Sequence, residues 1–245
     1  MVYELYYWPS IPGRGEFVRL ALEECGADYV DVARASSSEA GIEAMTRLLE
    51  DPATPHRPFA PPFLRSGTLL IGQTANILRY LGARHGLAPR DEAGELWTQQ
   101  LQLTVGDLLD EVHETHHPVA AGLYYDDQKV EARRRAADFL AHRLPKYLSY
   151  FERVLAGNPG ADRYLSGTGF TYVDLSMFQM IEGLRYAFPK AMQRLSPRIP
   201  KLLALHDGVR ERPRIAAYLA SSRRLPCNQQ GIFRHYPELD ILANP

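Results

Sequence analysis

The sequence predicts an α/β N-terminal domain followed by an all-α C-terminal domain. Three observations predict it. Over residues 1–83, short β-prone runs alternate with helical periodicity in the order β-α-β-α-β-β-α. From residue 92 onward, apolar residues recur every three or four positions, the spacing of helices. Between them, residues 84–91 carry Gly86 and Pro89 and read as a linker. The expected domains are therefore 1–83 and 92–245. A chain of 245 residues, 45% hydrophobic and 23% charged, can bury two modest cores and stay solvated.

Each element has its own signal. Val2–Trp8 is β-rich, and Pro9, Ser10, Ile11, Pro12 and Gly13 break it into a loop. Val18, Ala21, Leu22 and Cys25 follow at helical spacing, and Gly26 stops that helix. Tyr29–Val32 is a second short strand, Glu39–Glu50 a helix, and Asp51–Pro61 a proline-rich loop. Phe63–Arg65 and Leu69–Ile71 flank Ser66-Gly67-Thr68, a hairpin signal. Ile77, Leu78 and Leu81 then change the period to helical, with Thr74 expected as N-cap.

In the second half, Trp97, Leu101, Val105, Leu108 and Val112 mark one long helix ending before Pro118. Leu140, Leu144, Leu148, Phe151 and Leu155 mark another, which Pro145 should kink or break. Thr171 and Asp174 have capping-box spacing and open a helix through about Ala187. Pro200–Arg210 and Pro213–Ala220 are shorter helices with proline in the first turn. Nothing after Pro226 shows a period.

Composition excludes several classes. A net charge of −1 creates no field for nucleic acid or an anionic membrane. No apolar run reaches the ~18 residues of a membrane span, and MVYELYYW is not a secretory signal. The two cysteines, Cys25 and Cys227, form no CxxC and suit a reducing, cytoplasmic compartment. Cys25 falls on an apolar helix stripe and reads as core. His113-Glu114-Thr115-His116-His117 matches the zinc-protease pattern H-E-x-x-H. Pro118 follows at once, His116 lies four residues beyond Val112 on the apolar stripe, and no third ligand has metzincin spacing. No metal is expected.

The stretch from Ala60 to Leu81 carries a resemblance. Pro62 with Phe63-Leu64, and Gln73-Thr74 eleven residues on, resemble the glutathione-binding half of cytosolic glutathione transferases. The β-α-β-α-β-β-α order is that of a thioredoxin-like domain, as in that family. Thr171-Tyr172-Val173-Asp174-Leu175 resembles the helix-opening box of the family's helical domain, and Arg212–Leu219 its penultimate helix. Leu5-Tyr6-Tyr7-Trp8 followed by Gly13–Glu16 resembles the sigma, alpha and mu classes, in which the tyrosine ending the first strand activates the thiol. The pattern covers nearly the whole chain, and implies glutathione as co-substrate, a small hydrophobic electrophile and a homodimer.

Chemistry at the first turn agrees. A dithiol oxidoreductase would have cysteine there, and this chain has none, so the thiol must come from a ligand. Lowering a cysteine pKa of about 8.5 by about two units takes roughly 2.7 kcal/mol. A helix N-terminus supplies about 0.3–1 kcal/mol, which is too little. A hydroxyl donating to the thiolate supplies about 1.5–3 kcal/mol and closes the gap. Tyr7 and Ser10 are the two candidates, with Tyr7 favoured. Strand alternation should point Tyr6 the other way.

The rest of the expected site follows from the resemblance. Pro61, Pro62, Gln73 and Thr74 would hold glutathione, Pro62 after a cis bond. Thr74 at a helix start suits the γ-glutamyl carboxylate. Asp107 resembles the acidic residue that many members send across the dimer to the γ-glutamyl amine. Arg47, His56 and Arg57 are candidates for the glycyl carboxylate. Trp8, His113, His117, Tyr124 and Tyr125 would line the electrophile cleft. One departure stands out. The family residue before the cis-proline lends both N–H and C=O to the cysteinyl part, and Pro61 has no N–H. A missing backbone contact, and weak glutathione binding or a related thiol, are expected. The competing reading is a non-catalytic binding module on the same fold.

Overall fold

The computed structural model describes residues 2–35, 40–120, 122–158 and 163–241. Four strands form one mixed sheet: β1 (Tyr3–Tyr6), β2 (Tyr29–Asp31), β3 (Phe63–Ser66) and β4 (Leu69–Gly72), in the order β2-β1-β3-β4. β1 runs parallel to β2, with Tyr3 opposite Tyr29, and antiparallel to β3, with Tyr6 opposite Phe63. Gly67, at φ +60°, turns the β3–β4 hairpin, a conformation other residues rarely adopt.

Three helices complete this unit: α1 (Gly15–Cys25), α2 (Ile42–Glu50) and α3 (Thr74–His85). α1 buries Phe17, Val18, Leu20, Ala21 and Leu22, and packs on α3. It ends at Gly26 (φ +62°), whose N–H returns to the Leu22 and Glu23 carbonyls. α2 begins later than expected, and Glu39 lies outside the described residues. It covers a small cluster of Tyr6, Val32, Met45 and Phe63. α3 continues to His85, so the start of the expected linker is helical.

The second unit contains α4 (Glu92–Glu114), α5 (Lys129–Asp138), α6 (Leu144–Gly157), α7 (Tyr172–Ala187), α8 (Pro189–Leu195), α9 (Pro200–Arg210) and α10 (Pro213–Leu219). α7 is buried along most of its length and packs on α1, α4 and α9. A single apolar cluster runs from Leu5 and Phe17 through α4 and α7 to Phe233. The helix expected across Pro145 is interrupted: Phe139–Arg143 is a π-helical turn, and Pro145 sits in the first turn of α6. There its missing N–H costs nothing, since first-turn N–H groups have no intrahelical partner. α5 and α8 carry no sequence signal. α5 buries only Ala132 and Ala136, too small to draw an apolar stripe, and α8 has only seven residues.

A buried carboxylate on α1 ties the two units together, and a buried guanidinium ties α1 to β2. Glu16 is fully buried and accepts from Tyr218 at 2.6 Å and from Arg224 at 2.5 Å. Arg19, equally buried, bonds Asp31 at 2.6 Å. Glu16 and Arg19 thus each have an opposite charge as partner, as the desolvation penalty demands.

Candidate active site

Tyr7 follows the last residue of β1. Because Tyr6 pairs with Phe63, the register carries Tyr7 alongside Pro62. The two tyrosines face opposite ways, as alternation requires. Tyr6 stacks on Phe63 at 4.6 Å beneath α2, and its hydroxyl donates to Glu4. Tyr7 lies against the start of α1, 4% exposed. Two glycines make room for it. A Cβ at Gly13 would come 2.1 Å from the phenolic oxygen, and one at Gly15 would come 2.4 Å from the ring.

The Tyr7 oxygen accepts the Arg14 backbone N–H at 2.9 Å. Arg19 lies 5.8 Å from the ring centroid. Burial pushes the phenol's pKa up, opposed by the Arg14 and Gly15 N–H groups and the charges of Arg14 and Arg19. The phenol is therefore protonated at neutral pH and able to donate. No acceptor among the described residues takes its proton. Ser10 is exposed, and its carbonyl accepts from the Asn228 side chain at 2.8 Å.

The Pro61–Pro62 bond is cis. α3 opens differently from expectation. The first helical bond runs from Ile77 N–H to the Gln73 carbonyl, which makes Gln73, not Thr74, the cap residue. Gln73 stands at φ +68° and its side chain caps nothing. Thr74 is the first helical residue, and its buried hydroxyl has no partner. An unpaired buried hydroxyl costs about 1–3 kcal/mol, so this helix start is left open for something else to fill.

A cavity of about 210 Å³ opens where α1, α3 and α4 meet. Gln73 and Thr74 face Asp107 across it, and Arg14 and Gln102 also line it. Arg14 pairs with Asp110 on the same helix as Asp107. Thus Gln73, Thr74 and Asp107 meet within one chain, and Arg14 connects their cavity to Tyr7. Arg47, His56 and Arg57 do not line it. The guanidinium of Arg57 instead donates to the Glu50 carbonyl at 3.2 Å.

Arg14 and Gln102 were not singled out from the sequence. Arg14 stood inside the quoted Gly13–Glu16 run. The signal for Gln102 was a polar residue on an apolar stripe, four residues after Thr98 and three before Val105.

Beyond Glu114 the chain turns back, and its three histidines cluster. His113 and His117 stack at 4.8 Å with 19° between planes. In that arrangement two ring lone pairs do not converge on one ion, and Glu114 is taken by Arg135 at 3.0 Å. Among the described residues no group of three or more His, Cys, Asp or Glu is arranged to hold a metal. His116 is 1% exposed and bonds the Ile232 carbonyl through Nε2 at 2.7 Å. A carbonyl only accepts, so that nitrogen carries the proton. Nδ1 of His116 then accepts from Nδ1 of His117 at 2.6 Å. Burial pushes His113 down to about 4 and His116 down to about 3.

Among the described residues after Pro226 there is no helix or strand, yet residues 227–241 are held at several points. Phe233 packs against Gly183, Tyr236 stacks on Tyr125 at 3.8 Å, and Asp240 caps α8 through the Lys190 and Ala191 N–H groups. This corrects the expected cleft. Tyr125 is 6% exposed and its hydroxyl donates to Glu238, so it is packed rather than open. Tyr124 projects into solvent at 81% exposure. Trp8, His113 and His117 remain half-buried or exposed. Cys25 is half-buried and its thiol is pushed up to about 12 by burial, as an inert core residue requires. Thr171 and Asp174 form the expected box: Asp174 is fully buried and accepts from Thr171 N–H at 2.7 Å and Leu165 N–H at 2.8 Å.

Comparison with known proteins agrees with this fold. Residues 113–222 match the family model described as glutathione S-transferase, C-terminal domain. A glutathione S-transferase of Plasmodium falciparum is 24% identical over 223 residues, covering 89% of this chain and 95% of that protein. Glutathione S-transferase Mu 6 of Mus musculus is 27% identical, covering 91% and 92%. The structure of an Onchocerca volvulus Pi-class glutathione S-transferase superimposes with a TM-score of 0.70 at 22% identity, over 94% of this chain and 99% of that one. Prostaglandin synthase D of Nilaparvata lugens gives 0.69 at 20% identity, over 92% and 100%. The chain is thus similar to cytosolic glutathione transferases along most of its length, and residues 113–222 carry the match to their C-terminal domain.

Proposed function

We propose that this glutathione transferase holds glutathione with its γ-glutamyl end in the cavity at Gln73, Thr74 and Asp107, and its sulfur beside Tyr7. One observation carries the reading: the Tyr7 oxygen is filled by the Arg14 N–H while its own proton is uncommitted. A thiol entering there ionises by losing its proton to solvent, and the Tyr7 O–H then donates to the sulfur anion. The thiolate forms a bond to the electrophilic carbon, and the displaced group leaves with the bonding pair. Tyr7 keeps its proton throughout and acts by stabilising charge. Ser10 remains the alternative donor.

The γ-glutamyl carboxylate suits the open start of α3, where Thr74 has an unfilled hydroxyl. Pro62 and the Pro61 carbonyl would flank the cysteinyl part, with one donor fewer than the family pattern because Pro61 has no N–H. Trp8, His113 and His117 would border a small hydrophobic electrophile. A homodimer is supported by apolar groups left in water: Phe59 is 97% exposed before β3, while Leu96 and Leu103 are 61% and 54% exposed two turns apart on α4. Among the described residues no helix is long and apolar enough to cross a membrane, and we place the protein's work in the cytoplasm.

Tyr7→Phe tests the mechanism. Loss of a hydrogen bond to a charged sulfur lowers kcat/KM for conjugation of an activated aryl halide by about 10- to 100-fold near pH 6.5. The rate should recover as pH rises and the thiol ionises unaided. An unchanged rate in Tyr7→Phe would transfer the role to Ser10. Glutathione binding with no conjugation by wild-type protein, across a panel of electrophiles, would favour the non-catalytic reading that Pro61 suggests.

A further inference from the structure

A cavity of about 590 Å³ opens beside α9, and it shares no lining residue with the cavity at Gln73 and Thr74. Its volume falls within the range of small-molecule sites, about 300–1,000 Å³. Leu205 and Val209 of α9 are buried and give it an apolar floor. Tyr164 and Phe170, from the segment before α7, form an aromatic wall with ring centroids 5.9 Å apart. Along α9 the cavity is kept open by Ala204 and Gly208, both exposed. A Cβ at Gly208 would meet nothing within 4 Å, so packing does not require a glycine there. Inside a helix, glycine costs about 1 kcal/mol relative to alanine. What the missing side chain provides is space.

Charge indicates what the space takes. Arg163, Lys201 and Arg212 line the cavity, and no carboxylate, amide or aliphatic hydroxyl side chain does so among the described residues. Arg212 directs Nε and Nη2 at Glu24 of α1 and lies over the Phe170 ring, 3.8 Å from its centroid. These contacts fix the guanidinium plane and leave Nη1 without a partner among the described residues. Arg163 makes no ion pair or hydrogen bond among the described residues. The charge of Arg212 is balanced by Glu24, and that of Arg163 calls for an anion. With no amide or carboxylate to read a sugar or a nucleobase edge, the apolar floor and the two rings suit a flat hydrocarbon body.

We propose that this cavity is a second ligand site, which takes an organic monoanion with a flat apolar body, an aryl sulfonate or aryl carboxylate. The body lies along α9 against Tyr164 and Phe170, and the acid group meets Arg163 and the free Nη1 of Arg212. Glu24, the link of this cavity to α1, is near the end of that helix, whereas Tyr7 packs against its start. The site can therefore fill while the catalytic site is occupied.

Calorimetric titration of the full chain with anilinonaphthalene sulfonate, in the presence of saturating S-hexylglutathione, tests it. One molecule of the sulfonate should bind per chain, and anilinonaphthalene without the sulfonate should bind at least tenfold more weakly. Gly208→Leu places a side chain in the cavity and should abolish this binding, with a melting temperature equal to or above that of wild type. Arg163→Gln, at an exposed position, should weaken the sulfonate about tenfold, the size of a hydrogen bond to a charged group, and leave the neutral compound unchanged. Wild-type affinity in both variants, equal binding of the charged and neutral compounds, or displacement of the sulfonate by S-hexylglutathione would overturn the inference. None of those results bears on Tyr7, whose role is read from the conjugation rate of Tyr7→Phe.

Discussion

Two helices in this chain begin with a threonine, and they begin in opposite ways. At α7, Thr171 and Asp174 close on each other, and the carboxylate also takes the Leu165 N–H. The side chains of both residues have their partners inside the protein. At α3, the residue before the helix stands at φ +68°, caps nothing, and leaves the Thr74 hydroxyl buried and unpaired. The first arrangement maximises stability. The second gives up stability at a position bordering the cavity, which is what a binding site does when its missing partner is a ligand.

The sharpest way to break the comparison is to open the closed end. Asp174→Ala removes the acceptor for two buried N–H groups and the Thr171 hydroxyl, and should cost about 3 kcal/mol or more by chemical denaturation. A loss under about 1 kcal/mol would mean that the box is decoration.

The histidine turn extends the same contrast, since it too is filled from within the chain. Burial holds His116 down to about 3, whereas the unfolded chain binds a proton near pH 6.5. The unfolded state therefore binds more protons as pH falls, and stability drops from pH 6.5 towards 3 while remaining full above 6.5. By pH 5.5 His116 alone should have removed about 1 kcal/mol, and His116→Gln should flatten that slope in denaturation measured across pH. Within the box itself, Thr171→Val should cost about 1 kcal/mol, the usual worth of a capping side chain.

How much of this was legible in the sequence differs between the two ends. The α7 box was, because Thr171 and Asp174 stand at the spacing their mutual bonds require. The order of strands and helices in the first unit was also legible, since glycines at 26 and 67 mark where the chain must take a positive φ. The α3 start was misread, because a threonine ahead of an apolar run looks like a cap, and only the backbone shows the helix beginning at Thr74 itself. Tyr125 was misplaced for a related reason. Its burial depends on Tyr236, more than a hundred residues away in a segment with no periodicity. Gln102 escaped because the long helix was read through its apolar positions, and a polar side chain among them gains meaning only once the cavity opposite is known.

The smallest expected change in stability separates the two ends most clearly. Thr74→Val replaces an unpaired hydroxyl by a methyl of the same shape. The folded protein loses no hydrogen bond, and removing a buried orphan should leave stability within about 0.5 kcal/mol of wild type or raise it. Valine fits the first turn of a helix with little penalty beyond its stiffer χ1. The same substitution removes the hydroxyl offered to the γ-glutamyl carboxylate, and glutathione affinity should fall by about tenfold, the worth of one hydrogen bond to a charged group. Thr171→Val and Thr74→Val are the same chemical change at two helix starts. If the first costs stability and the second costs only binding, the difference is assigned to what each threonine was meant to meet. If both destabilise alike, the Thr74 hydroxyl is an ordinary part of the fold, and the open end of α3 loses its meaning as half of a ligand site.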